Sequence, residues 1–212
     1  MVRNGATVID IGTDHAFLPA YLITAEIAEK ALATDIRKGP LLNAAKTLRM
    51  FSCEERVELR LSDGFENINP NDGTDIIICG MGGTLIAEML ERAPWLKDRK
   101  YRLIIQPQSH HENVREYLIN NRFEILSDKL CFDSGRIYNV FCAEFSGEIR
   151  HYSISYVYTG EIRWDSSEEV RVYFSRMLNH LRKKSRYSDD KKRLENVINE
   201  IEEKYNEHFG NL

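Results

Sequence analysis

No apolar run reaches the roughly 18 residues that a membrane-crossing helix needs, so no such helix and no membrane partner are expected. Cysteine is sparse: Cys53, Cys79, Cys131 and Cys142 are scattered, with no C-x-x-C pair. That argues against a disulfide framework and leaves four reduced thiols, of which Cys79 and Cys142 fall in apolar strand patterns. The adjacent His110 and His111 have no cysteines nearby to complete a zinc site, and no metal is expected. The amino end lacks a signal-peptide pattern, because Arg3, Asn4 and Gly5 lead directly into a strand; a cytoplasmic location is expected. The dinucleotide fingerprint G-x-G-x-x-G is missing, which argues against a nicotinamide-dependent dehydrogenase. Charge of one sign is also lacking: the net charge is only −4.

What is present is a chain of 212 residues, 42% of them hydrophobic, enough for one domain with a small appendage. Its most informative stretch runs from Val8 to Ala16. A short apolar run ends at Asp10-Ile11-Gly12, then Thr13-Asp14-His15 lead into a helical pattern. Gly12 permits a tight turn and a close backbone approach, and the following helix offers free N–H groups. An acid at this strand end suits S-adenosylmethionine better than a pyrophosphate, since that cofactor has no phosphates to repel a carboxylate and carries cationic groups to attract one. An acidic cap on an ordinary strand-to-helix turn would read the same way.

Apolar runs alternate with helical patterns over the first 145 residues. Strands are expected at residues 7–11, 31–34, 57–61, 75–79 and 102–105, and helices at 16–28, 40–50, 84–92 and 111–120. Residues 123–130 and 137–145 then read as two strands whose join is too short for a helical crossover, so they are expected to be antiparallel. Five strand–helix units closed by such a hairpin describe an α/β, Rossmann-like sheet of the S-adenosylmethionine-dependent methyltransferase type. Residues 152–158 are rich in aromatic and β-branched side chains and read as one more strand. From Ser167 two helical stripes, broken at Ser188-Asp189-Asp190, read as a coiled-coil-like helical hairpin. The division expected is a cofactor-binding domain over residues 1–160 and a helical appendage over 161–212.

In such a sheet ligands sit beyond the carboxyl ends of the strands. Asp10 and Gly12 would flank the methionine part of the cofactor. Asp35, 23 residues after Gly12, would take the ribose hydroxyls, and Asp63 before Gly64 the exocyclic amine of its adenine. Gly80-Met81-Gly82-Gly83 carries little side-chain bulk and would admit the methyl acceptor. It lacks the Asn-Pro-Pro-aromatic clamp of exocyclic amino methylation and a Pro-Cys nucleophile, which leaves methylation of a ring nitrogen or an oxygen. Gln106 and Gln108 would address a base edge. Asp14 is the candidate to stabilise positive charge on the acceptor, with His15 orienting it or relaying a proton. From Arg171 to Arg193 nine basic residues face two acids, Asp189 and Asp190, a local patch suited to phosphates.

Together, the blocks Asp10 to Pro19, Thr34-Asp35-Ile36, Leu61 to Phe65, Cys79 to Ile86 and Gln106-Pro107-Gln108 resemble the bacterial tRNA (adenine(22)-N1)-methyltransferase family over roughly residues 1–145. The resemblance implies S-adenosylmethionine as cofactor, tRNA as partner and N1 of a D-arm adenine as acceptor. It implies cofactor contacts from Asp10, Ile11, Gly12, Asp35, Ile36, Ser62, Asp63, Gly64, Gly80 and Met81. The substrate side falls to Gly82, Gly83, Gln106 and Gln108, with Arg182, Lys183 and Lys184 of the tail on the tRNA. A monomer is expected. Family members usually carry a helical segment before the first strand, whereas this sequence starts nearly at it. A methyltransferase for a small molecule or protein, and a non-catalytic RNA-binding protein with the same fold, are the alternatives.

Overall fold

A computed structural model describes residues 1–165 and 167–210. Seven strands form one sheet: β1 (Ala6–Ile11), β2 (Ala28–Asp35), β3 (Val57–Leu61), β4 (Asp75–Gly82), β5 (Arg102–Ser109), β6 (Phe123–Asp133) and β7 (Arg136–Phe145). Their spatial order is β3-β2-β1-β4-β5-β7-β6. The first five are parallel, β7 runs antiparallel to β5, and β6 antiparallel to β7. Order therefore reverses between β1 and β4, the switch point at whose carboxyl edge such sheets form their ligand crevice.

Alternating side chains bury both faces of this sheet. Ile9, Ile76, Ile78, Leu103 and Ile105 pack on α3 (Gly83–Glu91) and α4 (His111–Asn120). Val8, Ala31, Ala33, Ile77 and Ile104 pack beside α1 (Phe17–Thr24) and α2 (Lys38–Met50) on the other face. A separate cluster joins α6 (Glu168–Ser185) to α7 (Lys191–Phe209) through Phe174, Leu178 and Leu181 against Leu194, Val197 and Ile201. The Ser167 hydroxyl caps α6 by accepting from the Val170 N–H, with Glu168 and Glu169 in the first turn and Arg182, Lys183 and Lys184 in the last, as the helix dipole favours.

Four expectations need correction. The first helix ends at Thr24 rather than 28, because Glu26 takes a left-handed φ of 56°. Its N–H bonds to Ile23 O and that of Ile27 to Leu22 O, closing the helix without the usual glycine. No helix follows β3; residues 62–74 cross to β4 by turns, so the chain does not repeat five strand–helix units. β4 and β5 run on to Gly82 and Ser109, paired through irregular registers at Cys79/Met81 and Met81/Gly82, so the Gly80–Gly82 stretch is bulged strand. Residues 152–158 are not a strand: the chain bends into a one-turn helix, α5 (Tyr156–Thr159), whose carbonyls at Val157 and Tyr158 are taken by Arg115 at 3.1 and 3.0 Å. The β6–β7 join tightens to Ser134-Gly135, both at positive φ, as a two-residue hairpin requires.

Candidate functional site

The crevice begins where β1 ends. Gly12 has φ 76°, and both its N–H and that of Thr13 donate to Thr34 O, at 2.9 and 2.8 Å, pinning the turn to the end of β2. A Cβ on Gly12 would strike the end of the Met81 side chain, which reaches over from β4 to the β1 turn. Asp10 is 5% exposed, and burial pushes its carboxyl up to about 6. The nearby Thr13 hydroxyl offsets part of that rise, yet it makes no full hydrogen bond among the described residues. A buried carboxylate beside an orphaned hydroxyl has an unmet demand for a cationic donor. Burial and the Asp10 charge together push the Cys79 thiol up to about 12, so it stays a neutral thiol.

Asp35 ends β2, nearly buried; its Oδ1 accepts the Arg37 N–H at 2.9 Å. The other carboxylate oxygen has no hydrogen-bond donor among the described residues, and so can meet a diol. Ser62 holds the turn after β3: its hydroxyl donates to Gly64 O at 2.9 Å and accepts the Asn67 N–H at 3.1 Å. Gly64 takes φ 53° against Met89. Beside these acids Ile36 is 59% exposed, an apolar wall open for a ring, whereas Ile11 is buried in the core and offers only backbone. Three acids, Asp10, Asp35 and Asp63, thus stand at the carboxyl ends of β1, β2 and β3 around one glycine turn. The set suits a ligand bearing an ammonium, a ribose and an adenine.

Across the switch point, the Gly80 N–H donates to Gln106 Oε1 at 3.0 Å, and Gln106 Nε2 donates to Pro107 O at 2.8 Å. The Gln106 amide is therefore occupied with backbone, contrary to its expected role on a base edge, whereas Gln108 is exposed. Gly83 opens α3 against the β5–α4 loop, and a Cβ there would collide with the carbonyl oxygens of Ser109 and His110. Gly80 and Gly82 face Gln108 and Ser109 with ordinary clearance. Asp14 (φ 50°) and His15 stand exposed at the rim, Asp14 Oδ2 lying 3.7 Å from His15 Nε2, and the His15 ring stacks on Phe17 at 5.7 Å.

The tail cations divide differently from expectation. Arg182 is paired with Glu202 and Lys184 with Glu112, both at about 3 Å, while Lys183 has no ion pair among the described residues. Sequence reasoning missed Arg136 and Arg176 as a pair. They line one hollow beside Gln108, although they come from a hairpin turn and a distant helix. Arg176 did fall inside the counted basic run; nothing local marked Arg136.

Comparison with known proteins gives a match to the methyltransferase-domain family over residues 1–141. The chain is 36% identical over 143 residues to the tRNA (adenine(22)-N1)-methyltransferase of Bacillus subtilis, covering 68% of this chain and 60% of that protein. The chain thus spans about 60% of the length of the curated relatives it matches. Among solved structures it is similar to the B. subtilis tRNA methyltransferase TrmK, with a TM-score of 0.80 and 28% identity over 97% of this chain and 93% of that one. It is also similar to a Streptococcus pneumoniae protein solved in complex with S-adenosyl-L-methionine, with a TM-score of 0.81 and 28% identity over 97% and 94% of the two chains.

Proposed function

Because the chain belongs to the methyltransferase-domain family, and within it stands with the tRNA (adenine(22)-N1)-methyltransferases, we propose that it transfers a methyl group from S-adenosylmethionine to N1 of a D-arm adenine in tRNA. The observation that carries this reading is the set of acids at the carboxyl ends of three adjacent strands around Gly12, beside the side-chain-poor Gly80–Gly83 stretch. Asp10 and the Thr13 hydroxyl hold the cofactor's ammonium, and Gly12 lets its backbone come close. Asp35 takes the ribose hydroxyls. Ser62, Asp63 and Gly64 receive the adenine, with Ile36 against its face. When bound, S-adenosylmethionine supplies an electrophilic methyl group.

Gly80, Met81, Gly82 and Gly83 line the approach of the acceptor, with Gln108 at its edge. Adenine N1 presents an in-plane lone pair and needs no base to free it. The target lies on the Watson–Crick edge, so the nucleotide must be unpaired or extruded. Methylation leaves the base cationic; Asp14, exposed at the rim, is the carboxylate that stabilises that charge in this reading, with His15 orienting it. Residues 1–160 act as the catalytic domain and 161–212 as an appendage for tRNA, working as a monomer.

The test is transfer of labelled methyl to unmodified tRNA, followed by nucleoside analysis. Label in 1-methyladenosine supports the reading; label only in another nucleoside, or none despite cofactor binding, overturns it. A pH prediction follows from Asp10. Its carboxyl, raised to about 6, loses charge as pH falls, while the cofactor's ammonium stays protonated. Cofactor affinity is expected to fall about tenfold from pH 7 to pH 5, following the ionised fraction of Asp10. Calorimetry on wild type and Asp10→Asn checks this: the variant binds weakly with a flat profile, and an equally steep variant profile would assign the titration elsewhere.

A further inference from the structure

We propose that two adjoining hollows between the carboxyl end of β5, the start of β7 and α6 form an RNA nucleotide subsite, with Arg136 and Arg176 on the phosphate. The inference rests on tRNA being the substrate. The hollows, of about 410 and 320 Å³, share Gln108, His111, Ile137 and Arg176. They continue directly from the acceptor approach, because Gly80 is hydrogen-bonded to Gln106 and Gln108 lies against it.

Charge identifies the occupant. The Arg136 and Arg176 side chains make no ion pair or hydrogen bond among the described residues, whereas Arg115, Arg182, Lys184 and Arg193 are each engaged by acids. Two exposed guanidiniums lining one hollow repel each other unless an anion lies between them. The sole acid among the lining residues is Glu112, and Lys184 Nζ already sits 3.0 Å from its carboxylate. The cleft therefore offers net positive charge to a phosphodiester, an anion that arginine recognises well. Its other walls, Ile137, Met177 and Tyr158, are apolar or aromatic and accept the flat face of a base. His111 is held down to about 4 by burial and by the Arg115 charge, so it meets the ligand as a neutral hydrogen-bonding ring. Lying beside the acceptor approach, the subsite would grip a nucleotide flanking the extruded adenine and set its register.

The experiment measures binding of unmodified tRNA to the full chain over a range of salt concentrations, for wild type, Arg136→Gln, Arg176→Gln and the double variant, with exposed Arg49→Gln on α2 as control. Each single change is expected to weaken binding and to reduce the slope of log K against log salt by about 0.7–1, the double change by about twice that. Cofactor affinity and thermal midpoint should stay at wild-type values, and Arg49→Gln should keep the full slope. Unchanged slopes in variants of an enzyme that still methylates tRNA would overturn the subsite alone and give the cleft to some other polyanion. A wild-type chain that neither binds nor methylates tRNA would overturn the underlying reading with it.

Discussion

Arg115→Ala is expected to lower the free energy of unfolding by about 3–5 kcal/mol, the usual cost of leaving one partner of a buried ion pair alone. Arg115 and Asp128 are both fully buried, with Nη2 to Oδ1 at 3.1 Å. Asn139 bonds to both, and the guanidinium lies 5.0 Å from the centre of the Phe141 ring. The same guanidinium satisfies the carbonyls of Val157 and Tyr158, while Asp128 Oδ2 accepts the Glu161 N–H at 2.7 Å. One cation thus ties α4, β6 and β7 to the segment that leads into the helical hairpin. Gly160 completes the arrangement at φ 58°, where a Cβ would run into the Asp128 carboxylate and Arg115. Urea unfolding measures the loss. A change under 1 kcal/mol would show that water or a relaxed Asp128 replaces the arginine at little cost. The double variant Arg115→Met/Asp128→Leu should recover only part of the loss: it removes the uncompensated charge, but it leaves the Val157 and Tyr158 carbonyls, the Glu161 N–H and the Asn139 amide without their partners. Hydrogen exchange in Arg115→Ala should quicken first around α5 and the start of α6.

This network also explains where sequence reading stopped. Residues 152–158 carry the composition of a strand, but they pair with none; Arg115, some forty residues earlier, takes the carbonyls of Val157 and Tyr158 instead. Glu200 likewise accepts the Ser155 N–H at 3.2 Å from the last helix. Such pairings join positions with no local signal between them. The same holds for Lys184 with Glu112 and Arg193 with Glu116, which remove tail cations from the pool expected to meet RNA. By contrast, β3 and α4 were legible to the residue, since strand alternation and helical spacing act over a few neighbours. The acids at the ends of β1, β2 and β3 were legible for a related reason: parallel topology carries successive strand ends to one edge whatever lies between. What remained hidden at the site was the use of each side chain. Nothing in a Gln-Pro-Gln sequence says that Gln106 turns inward to Gly80 while Gln108 stays outside.

Asp14→Asn is expected to reduce kcat for tRNA methylation by about 100-fold while cofactor affinity changes less than about twofold. Asparagine is the informative substitution. Asp14 sits at φ 50°, a left-handed conformation that asparagine tolerates at least as well as aspartate and alanine less well, so the turn survives and only the charge is removed. Its carboxylate is 65% exposed in the free chain, where solvent screens it; closure of RNA over the rim would strengthen its field at the acceptor ring. The charge matters only once the base becomes cationic, so the loss should fall on kcat and spare KM for tRNA. A purely structural role for Asp14 at the head of α1 predicts a different split: Asn would retain activity, and any loss in Asp14→Ala would follow a fall in thermal midpoint. His15→Gln gives the companion measurement, since Asp14 is its only ion-pair partner within 4 Å among the described residues. If the pair acts as a unit, the double variant loses no more than the worse single one; independent contributions would multiply.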